Sequence, residues 1–262
     1  MPINEGYRKK RVVRRKLKRT LTSILFAIII ILSGIYYILQ SDLMNLKHVE
    51  VQGQNEINFE EIIEASQLVY NRNLLKYNLE TIEKNITAHP YISETQVKRS
   101  FPNTMKIHVK EREEYAIITY MGSYIYIDEN TVILKAIDSY LADDLTIITG
   151  IELKNFKVGE IIETHNDEQL EIALGLLRAA RETTIYDMIS EVNISEPNEV
   201  NLITFDGITV LLGNVRDPGY SMVALDEVLV ELYTRGIRSA TVDMRYEGHI
   251  SVKDQREQGD EE

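Results

Sequence analysis

The chain has 262 residues, 44% of them apolar, with no Cys, no Trp and a formal charge of −12 from 29 basic and 41 acidic side chains. Without Cys there is no thiolate nucleophile, Cys-ligated zinc, iron–sulfur cluster or disulfide scaffold, and 13 Gly with 5 Pro exclude the collagen and low-complexity classes. A net acidic chain argues against a dedicated nucleic-acid binder, so nucleic acid is not an expected partner.

The average charge hides three zones. Residues 1–19 carry nine cations, from Arg8 to Arg19, against the single acid Glu5, a local net of +8. Residues 20–39 (TLTSILFAIIIILSGIYYIL) carry no charge, and residues 40–262 carry a net of −20. Twenty uncharged, mostly apolar residues wound as a helix reach about 30 Å, the thickness of a bilayer's hydrocarbon layer. The β-branched run Ile28–Ile31 does not oppose this, because in lipid the backbone must bond within its own segment. Tyr36 and Tyr37 fall where aromatic rings favour the interface. A buried core helix would be amphipathic and would not follow a block of cations. A signal peptide would have a shorter apolar region and a small-x-small cleavage site, which the exit Tyr-Tyr-Ile-Leu-Gln-Ser-Asp-Leu-Met does not offer. An uncleaved anchor over residues 20–40 is expected, with the lipid bilayer as its partner. The cations on one side predict a cytoplasmic tail over 1–19 and the remainder outside.

After the span, Leu46–Gly53 alternates as a strand with Val49 and Val51 on one face. Asn58-Phe-Glu-Glu61 reads as a helix N-cap, and a second helix is expected from about Asn78 to Ala88, with Leu79, Ile82 and Ile86 on one stripe and Pro90 ending it. Two strands follow, Ile92–Phe101 and Thr104–Glu111. In the second, Met105, Ile107 and Val109 oppose Lys106, His108 and Lys110. The order is β-α-α-β-β, a compact α+β unit.

Beyond Glu111 short strands and tight turns predict a meander through Tyr115–Tyr120, Tyr124–Asp128 and Thr131–Ala136, with another short apolar run at Leu145–Thr149. Asn166-Asp-Glu-Gln169 reads as a capping box opening a helix with Leu170, Ala173, Leu174 and Leu177 on one face. Val200–Phe205 and Ile208–Leu212 flank the hairpin signal Asp206-Gly207. Ser221–Tyr233 reads as a helix ended by Gly236. Ala240–Val252 keeps one parity (Val242, Met244, Tyr246, Ile250, Val252) and reads as one long half-buried strand. Residues 253–262 lack apolar side chains, so a disordered acidic tail is expected.

Catalytic signals are missing. His48, His89, His108, His165 and His249 show no metal-ligand spacing, and no nucleophile elbow, phosphate loop or dinucleotide fingerprint occurs. No cofactor, metal or catalytic residue is nominated, and the protein is not expected to be an enzyme. The Tyr-rich stretch Tyr115–Tyr126 reads as cross-strand packing. What stands out is backbone: a long strand near the C-terminus can form a sheet edge that recruits another chain by strand addition.

Four features resemble the bacterial cell-division FtsQ/DivIB family. They are the layout of basic tail, single span and outer domains; Leu46-Lys-His-Val-Glu-Val-Gln-Gly53 directly after the membrane; the run His89 to Arg112, with its Arg-x-Phe-Pro strand and Glu-Arg ending; and Val242-Asp-Met-Arg-Tyr-Glu-Gly-His-Ile-Ser-Val252. The resemblance implies a single transmembrane helix followed by an α+β arrangement: a POTRA-type β-α-α-β-β domain over 44–112 and a mixed β-rich domain with flanking helices over 113–252. It implies a non-catalytic scaffold at the division septum that binds small bitopic proteins of the FtsL and FtsB/DivIC type. Partner-binding candidates carried over are Arg245, Tyr246, Gly248, His249, Ile250 and Val252. Two alternatives are a POTRA-containing secretion or assembly factor receiving polypeptides and a cell-wall enzyme. The first predicts a barrel or tandem POTRA units, and the second needs a carboxylate or nucleophile that the sequence does not supply.

Overall fold

A computed structural model describes residues 5–141, 144–196, 198–246 and 248–254, with side chains from Lys18 onward. Two compact units emerge, one containing residues 1–87 and 94–110 and the other residues 88–93 and 111–262.

The first element is a helix, α1 (Glu5–Gln40), that begins well before the apolar run. The expected span is thus the C-terminal part of a longer helix, and the expected basic tail continues it backwards from Arg19 to Glu5. Lys18–Gln40 is long and apolar enough to cross a membrane and is not buried by the rest of the chain, which excludes a core helix. Thr22 and Ser23 return their hydroxyls to carbonyls one turn back, to Arg19 at 2.9 Å and 3.0 Å, so neither presents an unsatisfied group to lipid.

The rest of the first unit is a three-stranded sheet in the order β1 (His48–Gln52), β3 (Thr104–Glu111), β2 (Ile92–Ser100), with helices α2 (Phe59–Ser66) and α3 (Leu79–Thr87). β1 and β3 run parallel, with Val49 opposite Met105 and Val51 opposite Ile107. The alternation of β3 does what it predicts: Met105, Ile107 and Val109 are buried and Lys106, His108 and Lys110 are exposed. Leu46, Ile62, Leu74, Ile82 and Ile86 are buried in the same unit. Leu79 opens the α3 stripe but only Ile82 and Ile86 are buried on that helix. Side chains complete the backbone bonding: Glu83 accepts from Val97 N at 2.7 Å, and Arg99 Nε donates to the Leu74 carbonyl at 3.0 Å.

The second unit is built on a nine-stranded sheet. Its order is β14 (His249–Asp254), β13 (Ala240–Tyr246), β12 (Thr209–Gly213), β11 (Val200–Thr204), β10 (Ile189–Asn193), β7 (Ile147–Thr149), β4 (Ala116–Tyr120), β5 (Ser123–Ile127), β6 (Ile133–Ile137). The meander β4–β5–β6 and the hairpin β11–β12 are antiparallel as the turn residues predict. Three neighbouring pairs are parallel: β4 with β7, β7 with β10, and β12 with β13. Parallel neighbours need a crossover. Helix α4 (Asp167–Arg181) lies between β7 and β10 in the chain, and α5 (Pro218–Thr234) between β12 and β13. The two helices join the same core, α4 through Leu170, Ala173, Leu174 and Leu177, α5 through Met222, Leu225, Leu229 and Leu232. Asn166 caps α4 by accepting from Glu168 N at 3.1 Å. Asp217 caps α5 by accepting from Tyr220 N at 3.0 Å, with Pro218 in the first turn. The helix therefore starts three residues before the expected Ser221, at the pairing of an N-cap Asp with an N1 proline.

Three further strands did not announce themselves. β10 is a central strand, while β8 (Leu153–Asn155) and β9 (Glu163–Thr164) form a separate small ribbon. The Tyr-rich stretch does pack across strands: Tyr126 is fully buried opposite Ile117, with the Lys135 ammonium 3.9 Å from its ring centroid. Tyr115 is also fully buried.

The expected single long strand is corrected. Ala240–Val252 is a hairpin of β13 and β14, reversing between Tyr246 and His249, with Gly248 at φ +74°. The unbroken parity has a geometric source. At the turn Tyr246 pairs with His249, but a bulge between Asp243 and Tyr246 shifts the register by one, and below it Val242 pairs with Val252 and Asp243 with Ser251. Cross-strand partners there share both parity and face, so a hairpin reads as one continuous alternation. Lys253 and Asp254 belong to β14 and not to the acidic tail, whose remainder lies outside the described residues.

Candidate functional site

The hairpin β13–β14 carries all six sequence candidates. β13 supplies Arg245 and Tyr246, the turn supplies Gly248, and β14 supplies His249, Ile250 and Val252. β13 is bonded on both sides, to β12 and to β14, and β14 is the terminal strand of the nine-stranded sheet. The edge strand exposes two aliphatic side chains, Ile250 at 42% and Val252 at 44%, ahead of the charged Lys253 and Asp254, and Tyr246 on β13 beside it is 69% exposed. Val242, directly opposite Val252, is fully buried. The core face thus continues onto β14, where Ile250 and Val252 are partly exposed.

Charge at this edge is fixed by an unusually local pair. Arg245 Nε donates to Asp243 Oδ1 at 2.9 Å, its Nη2 donates to the other carboxylate oxygen, and Arg245 N also donates to Oδ1 at 3.1 Å. These bonds hold the Asp243 carboxyl down at about 2. Residues two apart point the same way on a strand, and the bulge in β13 lets backbone and side chain of Arg245 reach one carboxylate together.

Beside the pair is a cavity of about 360 Å³ between the start of α5 and the hairpin, with Leu212, Arg216, Tyr220, Met244, Arg245 and Ile250 in its lining. Gly213 makes room for the Arg245 side chain. With φ +65°, a Cβ at that position would meet Arg245 Cγ at 3.0 Å and Cβ at 3.2 Å. Sequence reasoning missed Asp243, Gly213, Arg216 and Tyr220. The signal available was the break Gly213-Asn214 at the end of an apolar strand, followed at once by the Asp217-Pro218 helix start, which closes a loop against the strand neighbour. Among the described residues no group of three or more His, Asp or Glu could hold a metal ion.

A helix able to cross the membrane, a small α+β unit with a parallel β1–β3 pair, and a β-rich unit on a nine-stranded sheet fit a single-pass membrane protein. Residues 44–112 match the family described as POTRA domain, FtsQ-type, and residues 116–245 match the family described as Cell division protein FtsQ/DivIB, C-terminal. The chain belongs to the FtsQ/DivIB family of bacterial cell division proteins. It is 28% identical over 227 residues to the cell division protein DivIB of Clostridium tetani, covering 87% of this chain and 83% of that one. It is 28% identical over 219 residues to the cell division protein FtsQ of a Geobacter species, covering 82% and 77%. A solved structure of the major extracytoplasmic domain of the trans isomer of DivIB from Geobacillus stearothermophilus is 14% identical, with a TM-score of 0.31 over 48% of this chain and 97% of that one.

Proposed function

We propose that the protein is a non-catalytic bitopic scaffold of the division complex, with its N-terminus cytoplasmic, that holds small bitopic septal proteins of the FtsL and FtsB/DivIC type at its β14 edge. The domain plan is a basic tail over 1–19, the span over 20–40, a POTRA domain over 44–112 and a β-domain over 113–252. The observation that carries the reading is the terminal position of β14 together with its exposed Ile250 and Val252. A terminal strand presents unpaired N–H and C=O groups to an incoming strand, and alternate side chains supply selectivity. Arg245 and Tyr246 flank that edge and the cavity behind it, where they are placed to read the side chains of the added strand. The orientation rests on nine cations preceding the span.

Co-purification from gently solubilised membranes tests the reading. The full chain retains small bitopic proteins, and a chain ending at Gly248 loses them while keeping β13 within the sheet. Equal retention by the shortened chain overturns the role of β14.

A further inference from the structure

The loop between α2 and α3 is tied to the last turn of the membrane helix. The Asn73 side-chain amide donates to the Leu39 carbonyl at 2.7 Å, one of the carbonyls that a helix C-terminus leaves without a partner. Asn73 Oδ1 accepts from Leu75 N at 2.9 Å, so this one residue clamps both the helix end and the loop. Around it, Asn71 N donates to the Leu46 carbonyl and Leu46 N to the Arg72 carbonyl, each at 2.9 Å.

This tie sets a depth. The 23 residues of Lys18–Gln40 extend about 35 Å as a helix, slightly more than the ~30 Å of hydrocarbon in a bilayer. Leu39 therefore stands at the hydrocarbon boundary, and a side chain bonded to its carbonyl stands within a few ångströms of the same level.

The loop held there presents apolar tips between cations. Val69 is 59% exposed, Tyr70 46% and Leu75 42%, and Leu43, just past the helix, is 52% exposed. Arg72 and Lys76 alternate with them in the chain. The loop is braced and not merely exposed: the Tyr77 hydroxyl accepts from Val69 N at 3.1 Å and donates to the Val69 carbonyl, Ser66 Oγ accepts from Leu68 N at 3.2 Å, and the Arg72 guanidinium lies 4.9 Å from the Tyr77 ring centroid. In water such a set of tips is an unexplained exposure. At a bilayer boundary each side chain has a partner: aliphatic tips reach the acyl margin, tyrosine sits at the headgroups, and cations meet phosphates.

We infer that residues 67–76 dock the first unit onto the lipid surface through which α1 passes, with Val69, Tyr70 and Leu75 in the interface and Arg72 and Lys76 toward headgroup phosphates. The inference rests on α1 spanning a membrane and is independent of which side the loop faces.

The chain has no Cys, so single cysteines carry a nitroxide label without background. The full chain is placed in vesicles of phosphatidylethanolamine and phosphatidylglycerol and labelled at Val69→Cys or Leu75→Cys. Ile29→Cys serves as the mid-span reference and Gln54→Cys, beyond the far end of β1, as the aqueous one. The ratio of oxygen to water-soluble nickel accessibility at 69 and 75 shifts from the value at 54 toward the value at 29. Ratios at 69 and 75 equal to that at 54 overturn the docking. An aqueous ratio at 29 overturns the span itself, and the docking with it.

Discussion

Arg245 lies close across Gly213, whose φ is +65°: an added Cβ would stand 3.0 Å from Arg245 Cγ, so the arginine side chain would have to give way. Gly213 ends β12 and Arg245 approaches the end of β13, its parallel neighbour. The contact sets where the guanidinium lies along the cavity wall and how it reaches Asp243.

Gly213→Ala therefore strains the backbone and displaces Arg245 at once. The positive φ and the close contact together are expected to destabilise the second unit by about 1–2 kcal/mol. Denaturant titration reads the loss, and retention of the small septal proteins falls further than a stability loss of that size would produce. Retention at the parent level would mean that the position of Arg245 is immaterial.

Asp243 titrates low because of Arg245. Its ordinary value is 3.8 and its folded value about 2, so the stabilisation from this pair is complete above pH ~4 and is lost as pH falls through 2. Carbon-detected titration of the carboxyl shows a midpoint near 2 in the parent chain. In Arg245→Ala the midpoint rises part of the way toward the ordinary aspartate range, since the guanidinium bonds and charge are lost while the backbone N–H of residue 245 stays in place.

The Tyr115 hydroxyl is buried with no hydrogen-bond partner among the described residues, and the Arg181 guanidinium lies 4.6 Å from the ring centroid. Burial is the main cause pushing its pKa up to about 12 from 10.0. A raised folded value means that stability is complete below pH 10 and declines as pH rises through 12. Tyr115→Phe removes an unsatisfied polar atom while keeping the ring. It is expected to raise stability by about 1 kcal/mol near neutral pH and to remove this part of the alkaline loss. Thermal unfolding at pH 7 and pH 11 separates the two effects.

Asp128 is a buried carboxylate of the second unit that accepts three hydrogen bonds. It accepts from Arg112 Nη1 at 2.6 Å, from Asn130 N at 2.9 Å and from Val132 N at 2.8 Å, and its side chain is 5% exposed against 19% for Arg112. Asp128→Ala leaves a mostly buried guanidinium and two backbone donors without their acceptor. A loss of about 3 kcal/mol is expected in chemical denaturation, against less than 1 kcal/mol for Glu171→Ala, whose pair with Arg178 is exposed.

The elements most legible in the sequence were those whose signal is local. The alternation of Met105, Ile107 and Val109, the Asn166 cap and the stripe of Leu170, Leu174 and Leu177 each carry their own period, and the sheet and helix they predict are present. β10 was not legible because Ile189–Asn193 is five residues without alternation; it becomes a strand by being bonded between β7 and β11. The closing hairpin was misread for the opposite reason: its pattern was too regular, since the bulge at Asp243–Tyr246 restores the parity that a turn would otherwise break. At the candidate site the six residues follow from the chain's resemblance to a family. Their neighbours Gly213, Arg216 and Tyr220 come from a crossover 25 to 40 residues upstream, a distance over which sequence pattern carries no register.

The central claim is that β14 accepts a strand from a partner. Amide hydrogen exchange across His249–Asp254, measured on the solubilised full chain alone and with its co-purified small bitopic protein, addresses it without altering the sequence. The outward amides from Ile250 to Val252 are expected to exchange readily in the chain alone, because β14 is the terminal strand of the sheet. Bound partner is predicted to slow exchange in this segment strongly while leaving β4–β6, at the other end of the sheet, unchanged. Retained partner with unchanged exchange across His249–Asp254 would contradict the account.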